Sequence, residues 1–285
     1  SRRLLHSLGS LFALVGVVFV VIQIVKHGSA LQLSQLDSRH WWALAICSLV
    51  YAAANYLLAS GWTDLLRQWD PAVPGRAALT AYGKSLPAKY VPGNLFHLAS
   101  RQAVGVSLHI DGWALAKASL YELILIVFAS IPYSILLLPQ VAPGVTLGFS
   151  VLLFGIASIG MAAVIGAVFG LSPVQAFVKH LLFLAVSACI FVVLMTLVMT
   201  EPRQAFVGST VLVGGYVIAW VAGLITPGAP AGVGVRELVL ITSLGGVAER
   251  PEILTAVLIS RLVTVVGDVL FYFFSCRRWK SGSLA

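Results

Sequence analysis

Polar residues are sparse along this chain, and their positions divide it into long apolar runs. A helix needs about 20 mostly apolar residues to cross hydrocarbon. Leu8 to Val25, Ala43 to Ser60, Trp113 to Leu138, Val145 to Gly170, Leu181 to Met199, Phe206 to Ile225 and Ile253 to Phe274 each read as such a span. Gly28 to His40 is a polar connection, and Trp41 and Trp42 mark an interfacial belt. Trp62 to Arg76 carries Asp64, Arg67, Asp70 and Arg76 and reads as a loop or interfacial helix. Lys179 and His180 are expected just before their span. Asn55 is expected to join helices, and Pro132 to kink one. Gly155, Gly160, Gly166 and Gly170 are expected to allow close helix packing.

Two stretches do not fit the pattern of plain helices. Ala77 to Gly105 mixes Gly83, Lys84, Pro87, Lys89, Pro92, Gly93, Asn94, His97 and Arg101 with apolar residues. It reads as a re-entrant hairpin with its cations at headgroup level, the new helix starting near Pro92 and Gly93. A basic amphipathic helix on the membrane surface is the other reading. Thr226 to Leu244 contains Pro227, Gly228, Pro230, Gly232 and Gly234, then Arg236 and Glu237. Proline removes a backbone donor, and irregular backbone at membrane depth must face protein or a wet cavity. This stretch therefore reads as a broken helix whose second half begins near Gly234. A surface loop closed by an Arg236/Glu237 pair is the plainer reading.

Composition places the chain in its class. It has 285 residues, 59% of them hydrophobic and only 10% charged, against about 25% charged in soluble domains. Mean hydropathy is +0.98. The expected fold is an all-α polytopic membrane protein in one domain: about seven transmembrane helices plus two Pro/Gly-broken segments, 77–105 and 226–244. Two helices, a broken basic segment and a further helix occur on each side of Val145 to Gly170, which hints at an internal repeat. The net charge of +8 comes without a basic arm of interleaved aromatics, so nucleic acid is not an expected partner. The first run lacks a small-residue cleavage pattern, so a secretory signal peptide is not expected. Both ends of the chain are basic and should share the cytoplasmic side. Seven crossings would separate them. The conflict disappears if Thr226 to Leu244 also crosses, although the residues leave re-entry open.

Charges inside apolar runs mark functional candidates. Lys84, Lys89, Arg101, Arg236 and Arg261 are candidate ligands for lipid phosphate. An arginine's planar fork donates two hydrogen bonds to phosphate oxygens. Arg101 and Arg236, which follow the two breaks, are the foremost of these. Glu122, Glu237 and Asp268 are expected to balance the cations or to carry a coupling proton. The alternative for each is a buried salt bridge that fixes helix register. Glu122 is expected to be approached by Arg101, Arg236 or Arg261. Cys47, Cys189 and Cys276 follow no metal-ligand spacing. No cofactor and no metal are expected, and no nucleophile–base spacing points to an enzyme.

Pro230-Ala231-Gly232-Val233-Gly234-Val235-Arg236-Glu237 resembles the Pro-Gly-Gly-x-Gly-x-Arg-Glu signature of the flippase-like membrane domain of lysylphosphatidylglycerol synthases. Lys89-Tyr90-Val91-Pro92-Gly93-Asn94 with Arg101 resembles that family's Lys-Tyr-x-Pro-Gly segment and following arginine. Glu122 and Arg261 fall where the family tends to carry intrahelical charges. Ala231 departs from the pattern, as does Asp268 in the last span. The resemblance implies movement of an anionic phospholipid, or of an aminoacyl or polyprenyl-phosphate-linked carrier, between leaflets. It also implies the bacterial cytoplasmic membrane. Only about a dozen residues follow Phe274, so a stand-alone transporter is expected rather than a synthase. The competing reading is a non-transporting partner of a glycosyltransferase or other lipid-modifying enzyme. Homo-oligomerisation is open.

Overall fold

The computed structural model describes residues 37–90, 96–142, 144–200, 208–226 and 232–280, with side chains up to 276. The expected span Leu8 to Val25 lies outside the described residues, as do Pro92, Gly93, Pro227, Gly228 and Pro230. All the described regular structure is helical. The helices are α1 (Ser38–Trp69), α2 (Gly75–Ser85), α3 (Phe96–Ser107), α4 (Gly112–Ser134), α5 (Leu147–Phe169), α6 (Leu171–Val198), α7 (Ser209–Ile225), α8 (Val235–Leu244) and α9 (Arg250–Lys280). A 3₁₀ turn, Leu86–Tyr90, follows α2, and another, Ile135–Leu137, leads to a single helical turn at Leu138–Val141.

Helix starts follow local chemistry. Asp111 accepts from the Ala114 N–H at 2.7 Å, and Thr146 from the Phe149 N–H at 3.3 Å. Each satisfies a donor that the first turn of α4 or α5 would otherwise leave free. Gly170, at φ +87°, is the single residue between α5 and α6, in a backbone region that favours glycine.

Among the described residues five helices are long and apolar enough to cross a membrane: α1, α4 with its extension to Val141, α5, α6 and α9. Such a set marks a helical integral membrane protein. In α5 only 6% of the most apolar window is buried, so this helix offers its side chains outward, as a lipid-facing helix does. The glycines expected to pack it closely do not. A Cβ at Gly155 or Gly160 would meet nothing within 4 Å, and only Gly166 approaches a neighbour, Val174. Apolar periodicity cannot distinguish a helix facing lipid from one facing protein, because both surroundings are apolar.

Two helix boundaries differ from expectation. Trp62 to Trp69 is not a loop but the last two turns of α1, with Trp62, Leu65 and Leu66 fully buried. Lys179 and His180 lie within α6 rather than before it. Both differences have one cause: Lys179 forms an ion pair with Asp64 of α1. The pair neutralises two charges that otherwise break each apolar pattern.

The short helices form two hairpins. α2 starts near the end of α1. α3 leads into α4, whose Lys117 sits 5.8 Å from the Trp69 ring at that same end of α1. Hairpin 1, α2–α3, thus enters and leaves at one end of the bundle. Hairpin 2 is α7–α8. A Cβ on Gly215 in α7 would lie 2.8 Å from Leu244 Cδ2 in the last turn of α8, so the two limbs run back along each other. Gly214 of α7 abuts the Tyr133 carbonyl near the end of α4. Thr200, which follows α6, donates its N–H to Glu252 in the first turn of α9 at 2.9 Å. Hairpin 2 therefore starts from the end opposite to hairpin 1. The expected plain span Phe206 to Ile225 is corrected accordingly: its 17-residue helix is one limb of a returning hairpin.

Candidate charge site where the hairpins meet

Both hairpin tips reach α9. Its Arg261 and Asp268 are seven residues apart in the sequence, which places them on one face, about 10 Å apart along the axis. Each binds a different hairpin. Asp268, 1% exposed, forms an ion pair with Lys89 and accepts from the Tyr90 hydroxyl, both from the 3₁₀ turn of hairpin 1. Its other oxygen accepts from Asn55 Nδ2 on α1 at 2.9 Å. The Lys89 ammonium also lies 5.9 Å from the Tyr51 ring and 5.3 Å from that of Tyr90, within cation–π range. A carboxylate this deep needs several donors to offset lost hydration, and here it has three.

Arg261 takes its partner from hairpin 2. Its Nη2 lies 2.8 Å from Glu237 Oε1, and it donates to the Gly232 carbonyl at 3.4 Å. The tip itself depends on glycine. Gly232 and Gly234 have φ of +74° and +85°. A Cβ on Gly223 of α7 would lie 3.0 Å from Gly232 Cα, so the two backbones touch. The second half-helix starts at Val235 with Gly234 as its N-cap, where the sequence places the restart. Glu237 accepts from the Gly234 N–H at 2.8 Å and so caps α8 while it holds Arg261.

Arg236 stands apart. It lies beside Glu237 in sequence but does not pair with it, because Glu237 turns to Arg261. Its guanidinium lies 5.6 Å from the Trp220 ring centroid. Among the described residues it has no carboxylate partner. Its Nε is buried without a hydrogen-bond partner, and so is that of Arg261. Arg236, Arg261 and Asp268 all lie within electrostatic range of Tyr216, so they share one neighbourhood. Two arginines with buried donors left over from every described acceptor can accept an anion.

Arg101 and Glu122 form a separate, closed pair. Each is 2% exposed. Arg101 Nη1 is ion-paired with Glu122 Oε2, and Tyr82 donates to the other oxygen at 2.8 Å. Arg101 Nε donates to Ser85 Oγ at 3.3 Å, and the guanidinium lies 3.8 Å from the Tyr82 ring centroid and 5.2 Å from that of Trp62. The expectation that Arg101 sits at headgroup level is corrected, since it lies inside the bundle, where it ties hairpin 1 to α4. Lys84, in the last turn of α2, is half-buried and joins neither cluster.

The structure thus brings Lys89, Asp268, Arg236, Arg261, Glu237, Gly232 and Gly234 to the meeting of the hairpins. Arg101 and Glu122 form their own pair. Nothing local in the sequence marks Tyr51, Tyr82 or Trp220 as partners of these charges, because aromatic residues in apolar runs read as core; Asn55, expected to join helices, does so through Asp268. Among the described residues no group of His, Cys, Asp and Glu could hold a metal ion. Comparison of the chain with protein-family models, curated proteins and solved structures finds no match.

Proposed function

We propose that the protein is a flippase-like transporter that binds the phosphate of an anionic lipid between its two hairpins. The observation that carries this reading is Arg236, which among the described residues has no carboxylate partner and keeps a buried Nε without a hydrogen-bond partner, near Arg261 at the tip of hairpin 2. A lipid phosphate cannot cross about 30 Å of hydrocarbon without replacement of its hydration. Two arginine forks replace it with charge-assisted hydrogen bonds. Hairpins that enter from opposite ends and meet at one helix suit a carrier with its site near the midplane. Resemblance of the two hairpin motifs to the flippase-like membrane domain of lysylphosphatidylglycerol synthases supports the same reading.

The apolar run Leu8 to Val25 is expected from its sequence to cross; added to the five long helices, with both hairpins re-entrant, it would make six crossings. An even number would put both basic chain ends on one side, together with Arg67, Arg76 and Lys117. This removes the charge conflict of a seven-crossing arrangement and fits insertion in a bacterial cytoplasmic membrane.

The proposal is tested by mass spectrometry of lipid that co-purifies with the detergent-solubilised protein. Wild-type protein is expected to carry anionic phospholipid or polyprenyl phosphate in excess of its share of the host membrane, and Arg236→Ala to lose that excess. Equal lipid in both samples contradicts a phosphate site at Arg236. Co-purification of a lipid-modifying enzyme without lipid enrichment would favour the accessory-partner reading.

A further inference from the structure

We infer that Glu237 is a stand-in for the ligand anion: it latches hairpin 2 to Arg261, and an arriving phosphate displaces it. The inference rests on the phosphate reading above and adds how binding is linked to movement of one hairpin.

The geometry has three parts. First, among the described residues Glu237 is the one carboxylate on Arg261, through a single 2.8 Å contact to Nη2. Among the described residues the buried Nε of Arg261 has no hydrogen-bond partner, and neither has that of Arg236. The fork of Arg261 is therefore only partly used, and a phosphate oxygen that bonded both arginines would satisfy donors that Glu237 does not reach. Second, the pair is accessible. The Arg261 side chain is 17% exposed and that of Glu237 21%, against 3% for each member of the Arg101–Glu122 pair. A ligand can reach the first pair without unfolding anything, whereas the second is closed. Third, Glu237 has somewhere to go. Its other oxygen already accepts from the Gly234 N–H, so on leaving Arg261 it keeps its place as the cap of α8.

An anion held by Arg236 and Arg261 together would also lie near Glu237, which contacts Arg261. Two like charges on one guanidinium repel, and the repulsion acts on the contact that the ligand competes for. The consequence is directional. Hairpin 2 loses its ion pair to α9, while hairpin 1 stays tied through Lys89–Asp268 and Arg101–Glu122. The ligand class is a phosphate mono- or diester, because the arginines take oxygens and nothing in the geometry requires the acyl chains.

Competition between a ligand and an internal latch makes a definite prediction. Removing the latch raises ligand affinity by the share of binding previously used to break it. Purified wild type, Glu237→Gln and Glu237→Asp are titrated with dioleoylphosphatidylglycerol and, separately, with glycerol 3-phosphate, and bound ligand is counted by native mass spectrometry. Glutamine can still accept from Gly234 but loses the charge. Aspartate keeps the charge but is too short to hold Arg261. Both variants are expected to bind about tenfold more tightly than wild type. If glutamine tightens binding and aspartate does not, the effect is one of local charge and the latch is wrong. If neither tightens it, the latch is wrong as well. If wild type binds no anion, the phosphate reading itself fails. Tightening with both ligands supports the latch and identifies free phosphate esters as sufficient. Tightening with the lipid alone supports it and makes the lipid the ligand.

Discussion

Arg236→Ala is expected to abolish movement of anionic lipid in proteoliposomes while the protein stays folded and monodisperse. The argument compares what each cation already does. Lys89 holds Asp268, Arg101 holds Glu122 and Arg261 holds Glu237. Arg236 holds no described carboxylate, so its removal strands no buried counter-ion, and the fold loses little beyond the contact with Trp220. Activity should lose far more. On the proposed reading a lipid phosphate would meet two arginine forks at the tip of hairpin 2, and losing one would remove charge and hydrogen bonds together. Truncating one partner of a buried charged contact costs about 2–5 kcal/mol, or roughly 30-fold to several thousand-fold in binding. Arg236→Lys should retain part of the activity, since an ammonium keeps the charge but not the planar fork. Size-exclusion profiles and thermal melts alongside the transport assay separate loss of function from loss of fold.

Arg101→Ala should behave in the opposite way, with loss of stability as its main effect. It would leave Glu122 at 2% exposure without its cation. Breaking such a pair by removing one member costs about 3–5 kcal/mol. The packing of the guanidinium against Tyr82 and Trp62 is lost too. Glu122→Ala should destabilise by a similar amount, and the double variant by less than the sum, because neither charge is then stranded. The exposed Glu249→Ala serves as the reference and should melt like wild type. Thermal unfolding in detergent checks all four. Additive losses at Arg101 and Glu122 would contradict a shared buried pair.

These two arginines also show how far the sequence could be read. Arg101 and Arg236 look alike in one dimension: each follows a break rich in proline and glycine, and each was a foremost phosphate candidate. Their difference is the partner. Glu122 lies 21 residues beyond Arg101 on another helix, and nothing local records that the pair is closed. Glu237, adjacent to Arg236, looked like its natural partner but faces Arg261 on α9, because neighbours on a helix do not point the same way. The restart of the second half-helix at Gly234 was legible, since glycine and a following acidic residue act over a few positions. The long apolar helices were legible from composition and length. The continuation of α1 through Asp64 and of α6 through Lys179 was not. Charges there mimic a loop until their ion pair is known. That Ser209–Ile225 is a hairpin limb was hidden as well, since an apolar helix of 17 residues is near the length of a span.

The central claim is that a lipid phosphate passes through the site between the hairpins, and the rate of lipid exchange between leaflets tests it most directly. Wild-type protein is reconstituted into vesicles that contain a headgroup-labelled phosphatidylglycerol, and label accessible from outside is followed over time. The account predicts that the protected half becomes accessible at a rate set by the number of wild-type proteins per vesicle, and that added unlabelled anionic phospholipid slows it. Protection as lasting as in protein-free vesicles, for phosphatidylglycerol and for a panel of other phosphate-bearing lipids, would contradict it.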